Sequence, residues 1–124
     1  MDGYQYLEKF FIEDGYRYKD EGNYFAFKVE GVNYIAFKND DNPNLQITVI
    51  CNAEGHERGK LLSVCNQMNQ NKFVLKYCLN DNGDAVWVNY EFEPNELTTP
   101  DDFRKIFYVL DKGSDDFFDC LNKA

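Results

Sequence analysis

The order in which two hydrophobic periods follow one another along the chain constrains its fold more than any other feature. Apolar residues recur every three to four positions in three segments, as on one face of a helix, and at every second position in five others, as in a half-buried strand. The helical segments are 3–14, 57–70 and 100–121, and the extended segments are 24–29, 33–38, 45–51, 73–79 and 86–92. The sequence therefore predicts an α+β fold with the element order αβββαββα.

Short runs of turn-forming residues separate the predicted strands, which indicates that neighbouring strands pair antiparallel. Glu30-Gly31 lies between the first two strands, the segment 39–44 precedes the third, and the segment 80–84 separates the last two. Gly, Asn, Asp and Pro adopt the backbone conformations that such turns require. We expect a three-stranded meander, a helix that crosses the sheet and then a hairpin, which together form a five-stranded antiparallel sheet.

Alternation within the strands assigns each side chain to one of the two faces of this sheet. In the first hairpin, one face receives Phe25, Phe27, Ile35 and Phe37, and the other receives Tyr24, Lys28, Tyr34 and Lys38. Trp87 alternates with Val86 and Val88, which places it on this second face together with Lys76, Ile50 and Val74.

A strong helix start precedes the last helical segment. Thr99 can cap free backbone amides, Pro100 fits the first helical position, and two aspartates follow that complement the helix dipole. Gly113 interrupts the apolar stripe, which then resumes in phase. We expect one long helix with a weak point at Gly113 rather than two helices.

The length and composition are those of one folded domain. The 124 residues are 44% hydrophobic and 17% aromatic, which is too rich in large apolar side chains for a disordered chain. A chain of this size buries roughly two-thirds of the surface that it exposes when unfolded. Since no linker, repeat or low-complexity segment divides the sequence, we expect a single domain over residues 1–124.

The charge balance narrows the choice of partner. The chain has 22 acidic and 13 basic side chains and a net charge of -9, which repels nucleic-acid phosphates and anionic lipid. No apolar run approaches the roughly 18 residues of a membrane span, and no signal peptide is recognisable near Met1. We expect a cytoplasmic protein that binds neither nucleic acid nor membranes.

No pattern of residues predicts catalysis, a cofactor or a metal ion. Cys51, Cys65, Cys78 and Cys120 lack zinc-ligand spacing, and His56 is the only histidine. We interpret the cysteines as reduced core thiols, because they are widely spaced and three of them lie in periodic apolar segments. No glycine-rich phosphate loop is present either. The expectation is a protein without enzymatic activity, cofactor or metal.

The second face of the predicted sheet is the remaining candidate for function. Aromatic anchors among polar and cationic residues are typical of protein–protein interfaces. The predicted partner-binding residues are Trp87, Tyr24, Tyr34 and Lys76. Partial cover of this face by a helix is the competing interpretation, and the sequence leaves both open.

Short motifs, together with the element order, resemble the YbjN family of bacterial sensory-transduction-regulator-like proteins. The motifs are Glu21-Gly-x-Tyr-Phe at the first hairpin, Asn66 and Asn69 late in the middle helix, the strand pair around Asn82-Gly83, and Thr-Pro-Asp-Asp-Phe from Thr99. The resemblance extends over nearly the whole chain. It implies the type III secretion chaperone-like fold.

The resemblance also implies a small acidic cytoplasmic protein without catalysis, commonly dimeric, that acts by binding other proteins. The expected function is therefore a non-enzymatic protein-binding module, chaperone-like or regulatory, which acts through its aromatic sheet face and as a homodimer. The alternative is an acidic inhibitor or immunity protein that masks a basic partner surface. Carboxylates clustered on the last helix would favour that alternative.

Overall fold

Three helices and six strands make up the chain, all 124 residues of which are described by a computed structural model. The elements are α1 (Gly3–Asp14), β1 (Tyr18–Asp20), β2 (Tyr24–Val29), β3 (Val32–Phe37), β4 (Leu45–Asn52), α2 (Arg58–Asn71), β5 (Leu75–Leu79), β6 (Ala85–Phe92) and α3 (Pro100–Lys123). The predicted α+β class is confirmed. The predicted number of strands was wrong by one, because β1 has only three residues and is too short to show an alternating pattern.

The six strands form one sheet in the order β1-β2-β3-β4-β6-β5, and every neighbouring pair is antiparallel. The meander β2-β3-β4 and the hairpin β5-β6 are as predicted. The hairpin joins the meander through its second strand, since the chain leaves β4, passes through α2 and re-enters at the far edge as β5. None of the helices is both long and apolar enough to cross a membrane.

The turn between β2 and β3 decides which side chains of β3 face the helices. Glu30 and Gly31 both have positive φ, 49° and 82°, as in the two-residue type I′ turn. This turn pairs Val29 with Val32 and therefore Phe27 with Tyr34. Directly paired residues share a face. The predicted assignment of β3 was consequently wrong. In this register each odd-numbered residue of β2 lies beside an even-numbered residue of β3 and shares its face. Tyr34 therefore points to the helices, and Ile35 and Phe37 point away.

All three helices pack on one face of the sheet and share a core of 26 buried side chains. The Phe11 ring of α1 lies 4.7 Å from the Phe27 ring of β2. Two strand tyrosines reach α3: the Tyr34 hydroxyl donates to the carbonyl of Phe107 and the Tyr77 hydroxyl to the carbonyl of Gly113, each at 2.8 Å. Burial raises the pKa of both tyrosines, so they remain protonated donors.

Helix α2 covers the outer edge of β5. The Asn69 amide nitrogen donates to the carbonyl of Tyr77 at 3.0 Å, and the Tyr77 N–H donates to Asn69 Oδ1 at 2.7 Å. One side chain thus satisfies the backbone groups that a further strand would otherwise pair with. At the opposite edge, β1 is only three residues long and carries Lys19 and Asp20.

Helix α3 is continuous over 24 residues, as predicted. Its start is a capping box, in which Thr99 Oγ1 accepts from the Asp102 N–H at 3.2 Å and the Asp102 carboxylate accepts from the Thr99 N–H at 2.8 Å. Gly113 does not weaken the helix at a bend; it lies against the sheet. A Cβ at this position would overlap the Leu75 side chain and lie 3.0 Å from the Tyr77 hydroxyl oxygen.

Gly113 is therefore required for close packing, and Gly59 of α2 provides a matched comparison, because no atom lies within 4 Å of a Cβ placed there. In an open helix, Gly→Ala raises the free energy of unfolding by up to about 1 kcal/mol. At Gly113 the crowding costs about 1–3 kcal/mol and outweighs that gain. We expect urea unfolding to show Gly113→Ala less stable, and Gly59→Ala more stable, than the natural chain. Equal stabilisation by both changes would refute the packing role of Gly113.

Candidate partner-binding face

The sheet face opposite the helices carries no helix, and we call it the open face. Its apolar side chains are Tyr24, Ala26, Ile35, Phe37, Ile50 and Trp87, which the strand pairing brings to one side. Its other side chains, polar or thiol, are Lys19, Lys28, Asn33, Gln46, Thr48, Lys76, Cys78, Asn89 and Glu91. Several of these are exposed to solvent, among them Lys28, Ile50 and Lys76.

The structure brings three of the four predicted partner-binding residues together on the open face: Tyr24, Trp87 and Lys76. It does not bring Tyr34 there. The Tyr34 side chain is only 3% exposed and lies among the rings of Phe27 and Phe107 on the helical side. Its placement on the second face was wrong, for the reason of turn geometry given above.

Two further residues expected on the second face lie elsewhere. Lys38 follows the end of β3, and its Nζ lies 2.9 Å from Asp20 Oδ2 and 5.2 Å from the centre of the Phe25 ring, on the helical side. The pKa of Asp20 is lowered by this lysine hydrogen bond. Val74 precedes β5 and lies in a shallow surface depression with Tyr108 and Val109 of α3.

An aromatic pair bridges the centre of the open face. The rings of Phe37 on β3 and Trp87 on β6 stack at 5.7 Å with an interplanar angle of 23°. Since β4 lies between these two strands, the pair spans it. Thr48 of β4 is fully buried and Asn89 of β6 almost so, although no helix covers them. Trp87 itself is half-buried. Phe37 was missed as a site residue because the alternation had placed it in the core.

A polar triad lies within this face. The Thr48 hydroxyl donates to Asn89 Oδ1 at 2.6 Å, and the Gln46 amide nitrogen donates to the same oxygen at 3.0 Å and to Thr48 Oγ1 at 3.2 Å. No buried side-chain nitrogen or oxygen in the structure lacks a partner. The buried polar atoms of the triad are therefore paired, and its hydrogen bonds join β4 to β6 on the open face.

The charge of the open face is opposite to that of the chain. Lys19, Lys28 and Lys76 stand against two carboxylates, those of Glu91 and Glu21. Lys76 Nζ lies 3.9 Å from Glu91 Oε1 and Lys19 Nζ lies 3.1 Å from Glu21 Oε1, whereas Lys28 has no ion-pair partner. These five residues have a summed charge of +1, and the rest of the chain has a net charge of -10. The open face is therefore an electropositive surface on an otherwise acidic protein.

The cysteines divide between the core and the surface. Cys51 and Cys65 are buried, and burial raises the pKa of the first to about 12 and of the second to about 11, which keeps both as thiols at neutral pH. Cys78 is exposed and is paired with Trp87, and Cys120 is partly exposed. The core-thiol interpretation thus holds for Cys51 and Cys65 and was wrong for Cys78, which alternation places on the open face. No three His, Cys, Asp or Glu side chains are grouped so that they could hold a metal ion.

Comparison with known proteins identifies the fold. No family model and no curated protein matches the sequence. YbjN from E. coli, described as a candidate transcription regulator, superposes with a TM-score of 0.69 at 13% identity and covers 97% of this chain and 90% of its own. An uncharacterized protein from Methanothermobacter thermautotrophicus superposes with a TM-score of 0.68 at 9% identity, covering 98% of this chain and 97% of its own. The chain has a YbjN-like fold, as the resemblance implied.

A labelling experiment tests which cysteines are buried and which are exposed. A thiol reagent at pH 8 should react rapidly with Cys78, more slowly with Cys120, and with Cys51 and Cys65 only after unfolding, because a buried thiol with a raised pKa is neither accessible nor ionised. Mass spectrometry of the modified peptides assigns each reaction. Cys78→Ser should remove the fast phase alone. Rapid modification of Cys51 in the folded protein would contradict its burial.

Proposed function

We propose that this YbjN-like fold serves as a non-enzymatic protein-binding module, chaperone-like or regulatory, whose binding surface is the open face. The observation that carries the proposal is a half-apolar sheet face that no helix covers. Protein interfaces place aromatic anchors at a desolvated centre and charged residues at the rim. On the open face, Phe37 and Trp87 supply the centre, and Lys28, Lys76 and Glu91 supply the rim.

The size of the open face suits such a role. Six strands at about 4.8 Å spacing are roughly 24 Å wide, and the longest strands, of eight residues, are about 26 Å long. The face therefore has a projected area of about 600 Å². Stable complexes bury about 800 Å² on each partner. A partner that covered the sheet and contacted its rim would reach that size.

The regulatory reading is supported by the description of YbjN as a candidate transcription regulator. We propose that any regulation by this chain proceeds through protein contacts in the cytoplasm. DNA-binding proteins gain most of their affinity from several phosphate contacts. Of the open-face lysines, Lys19 and Lys76 are already paired with carboxylates, so that Lys28 alone could not supply those contacts.

The alternative, an acidic inhibitor that masks a basic partner, would be favoured by carboxylates clustered on the last helix. Helix α3 contains six aspartates, but they alternate with four cations. Asp116 is paired with Lys72 at 2.6 Å, and Asp101 with Arg104 at 2.7 Å. Because the charges of α3 are mixed, no observation raises the inhibitor above the binding module.

The proposal includes a homodimer. Phe73 is fully exposed, and it lies with Val74 and Tyr108 around one depression beside α3. We call these three residues the Phe73 patch. Contiguous exposed apolar side chains on small proteins often mark self-association surfaces, most commonly with two-fold symmetry. Since the Phe73 patch lies next to α3, a dimer formed through it would leave the open face free for a partner.

Affinity capture from native lysate tests the open face. Ile50 lies on the open face, paired with Trp87, and is 48% exposed. Leu97 lies in the loop before α3 and is 85% exposed. Ile50→Gln is therefore the test variant, and Leu97→Gln is a matched apolar-to-polar control. We expect Ile50→Gln to lose a protein that the natural chain and Leu97→Gln both retain.

Trp87→Ala should weaken the same interaction by about 2 kcal/mol or more. Its folding cost should be less than the roughly 3–5 kcal/mol of a core truncation.

Thermal melting of each variant separates lost binding from lost folding. Ile50→Gln and Leu97→Gln change exposed residues and should alter the free energy of unfolding by no more than about 0.5 kcal/mol. If both Ile50→Gln and Trp87→Ala retain every partner, the open face is not the binding surface.

Light scattering over a wide concentration range tests the dimer. The natural chain should show about twice the 14.6 kDa monomer mass. Phe73→Ser should shift the protein to monomer, because it removes the largest apolar side chain of the Phe73 patch. The control Ile12→Ser alters an exposed residue on α1 and should remain dimeric. A monomeric natural chain at every concentration would remove the dimer from the proposal.

A further inference from the structure

A depression of about 400 Å³ interrupts the open face over β2, β3 and β4. On this face it is lined by Ala26, Lys28, Asn33, Ile35, Thr48 and Ile50. Ala26 is paired with Ile35, and its side chain is the smallest of those that line the depression. The volume is at the lower end of the roughly 300–1,000 Å³ of ligand pockets. Because the depression opens outward on a sheet face, it suits one protruding apolar side chain of a larger partner.

The floor of the depression is not available for hydrogen bonding to a ligand. The Thr48 hydroxyl is already donated to Asn89 Oδ1, and Gln46 donates to Thr48 Oγ1. Ile35 and Ile50 form the walls beside it. The contact that this part of the site offers is therefore apolar.

One end of the depression is polar and positively charged. Lys28 and Asn33 are directly paired across the hairpin, so their Cβ atoms lie about 5 Å apart, and both are exposed. Neither side chain has a hydrogen-bond or ion-pair partner within the chain, whereas Lys38 and Lys72 are both paired. Two free donors, an ammonium and an amide, thus stand side by side at the rim.

A partner that covers the depression removes water from Lys28. Burial of an unpaired charge is costly, so a stable complex requires an acceptor opposite it. A carboxylate supplies both the opposite charge and enough lone pairs for the ammonium and the amide together. A basic partner would instead bring like charges into contact.

The net charge of the protein does not prevent this pairing. At physiological ionic strength the Debye length is about 8 Å, so the distant carboxylates are largely screened at the open face. Lys28 is the only charged residue that lines the depression, and it has no ion-pair partner.

We propose that the depression binds a partner segment in which a large apolar residue is adjacent to a carboxylate, the apolar side chain between Ile35 and Ile50 and the carboxylate on Lys28 and Asn33. The partner is thus an acidic, apolar peptide segment. This inference rests on the proposed function and specifies the chemistry of the same face.

Two synthetic 12-residue peptides test it, identical in their Leu and Phe residues but with Glu in one and Lys in the other beside the Leu. Each is titrated to millimolar concentration into the ¹⁵N-labelled protein at about 0.15 M salt, with amide shifts as the readout. The Glu peptide should shift the amides of Lys28, Asn33, Ile35 and Ile50 and bind about fivefold more tightly than the Lys peptide. Lys28→Glu should reverse this preference. Lys105→Glu, an equal charge change on exposed α3, should preserve it.

The outcomes separate the inference from the proposed function. Equal binding of both peptides, tighter binding of the Lys peptide, or an unaltered preference in Lys28→Glu would overturn the inference. So would a Glu peptide that leaves the open-face amides unshifted. If the Ile50-dependent partner is still captured from lysate in any of these cases, the proposed function stands. If that capture fails as well, both are refuted.

Discussion

Two buried tyrosine hydroxyls tie α3 to the sheet, and the rest of the structure depends on this attachment. Tyr34 of β3 and Tyr77 of β5 donate to helix carbonyls at Phe107 and Gly113, six residues apart. A helix carbonyl retains a second lone pair for such a bond, and a buried hydroxyl left without a partner would cost about 1–3 kcal/mol. The two contacts therefore orient α3 across the sheet. Gly113 permits the second, because a side chain there would occupy the place of Leu75 and Tyr77.

The attachment of α3 makes the fold one-sided. With α3 on that face, α1 and α2 complete the same core, and the opposite face keeps its side chains in solvent. The charge follows the same division. The helices and loops carry the excess of carboxylates, whereas lysines outnumber carboxylates on the open face. A sheet covered on both faces would have buried Trp87 and Phe37 as core residues and left no electropositive surface.

The edges of the sheet favour recognition through the open face over the addition of a strand. At β5 the Asn69 amide occupies the backbone groups of Tyr77 that an incoming strand would use. At the other edge, β1 offers three residues, two of them charged, which is a short template for pairing. Asn69 belongs to the motifs that resemble the YbjN family, and in the structure it caps the backbone groups of Tyr77. Pairing with an added strand is thereby restricted at both edges, which is consistent with the proposal that a partner contacts side chains of the open face.

The sequence by itself determined the type and order of the main elements, because helical and extended periods are local properties of neighbouring residues. It also determined the start of α3 at Thr99 and the common face of Trp87 and Lys76. The face of Tyr34 depends on the pairing register, which the local turn at Glu30-Gly31 sets and which alternation within each strand does not give, since a shift of one residue reverses every side chain. Only the tertiary structure decided that β1 joins the sheet and that the face with Trp87 remains uncovered. Alternation separates two faces but does not say which one the helices occupy; that choice depends on contacts between residues far apart in the chain, such as Tyr34 with Phe107.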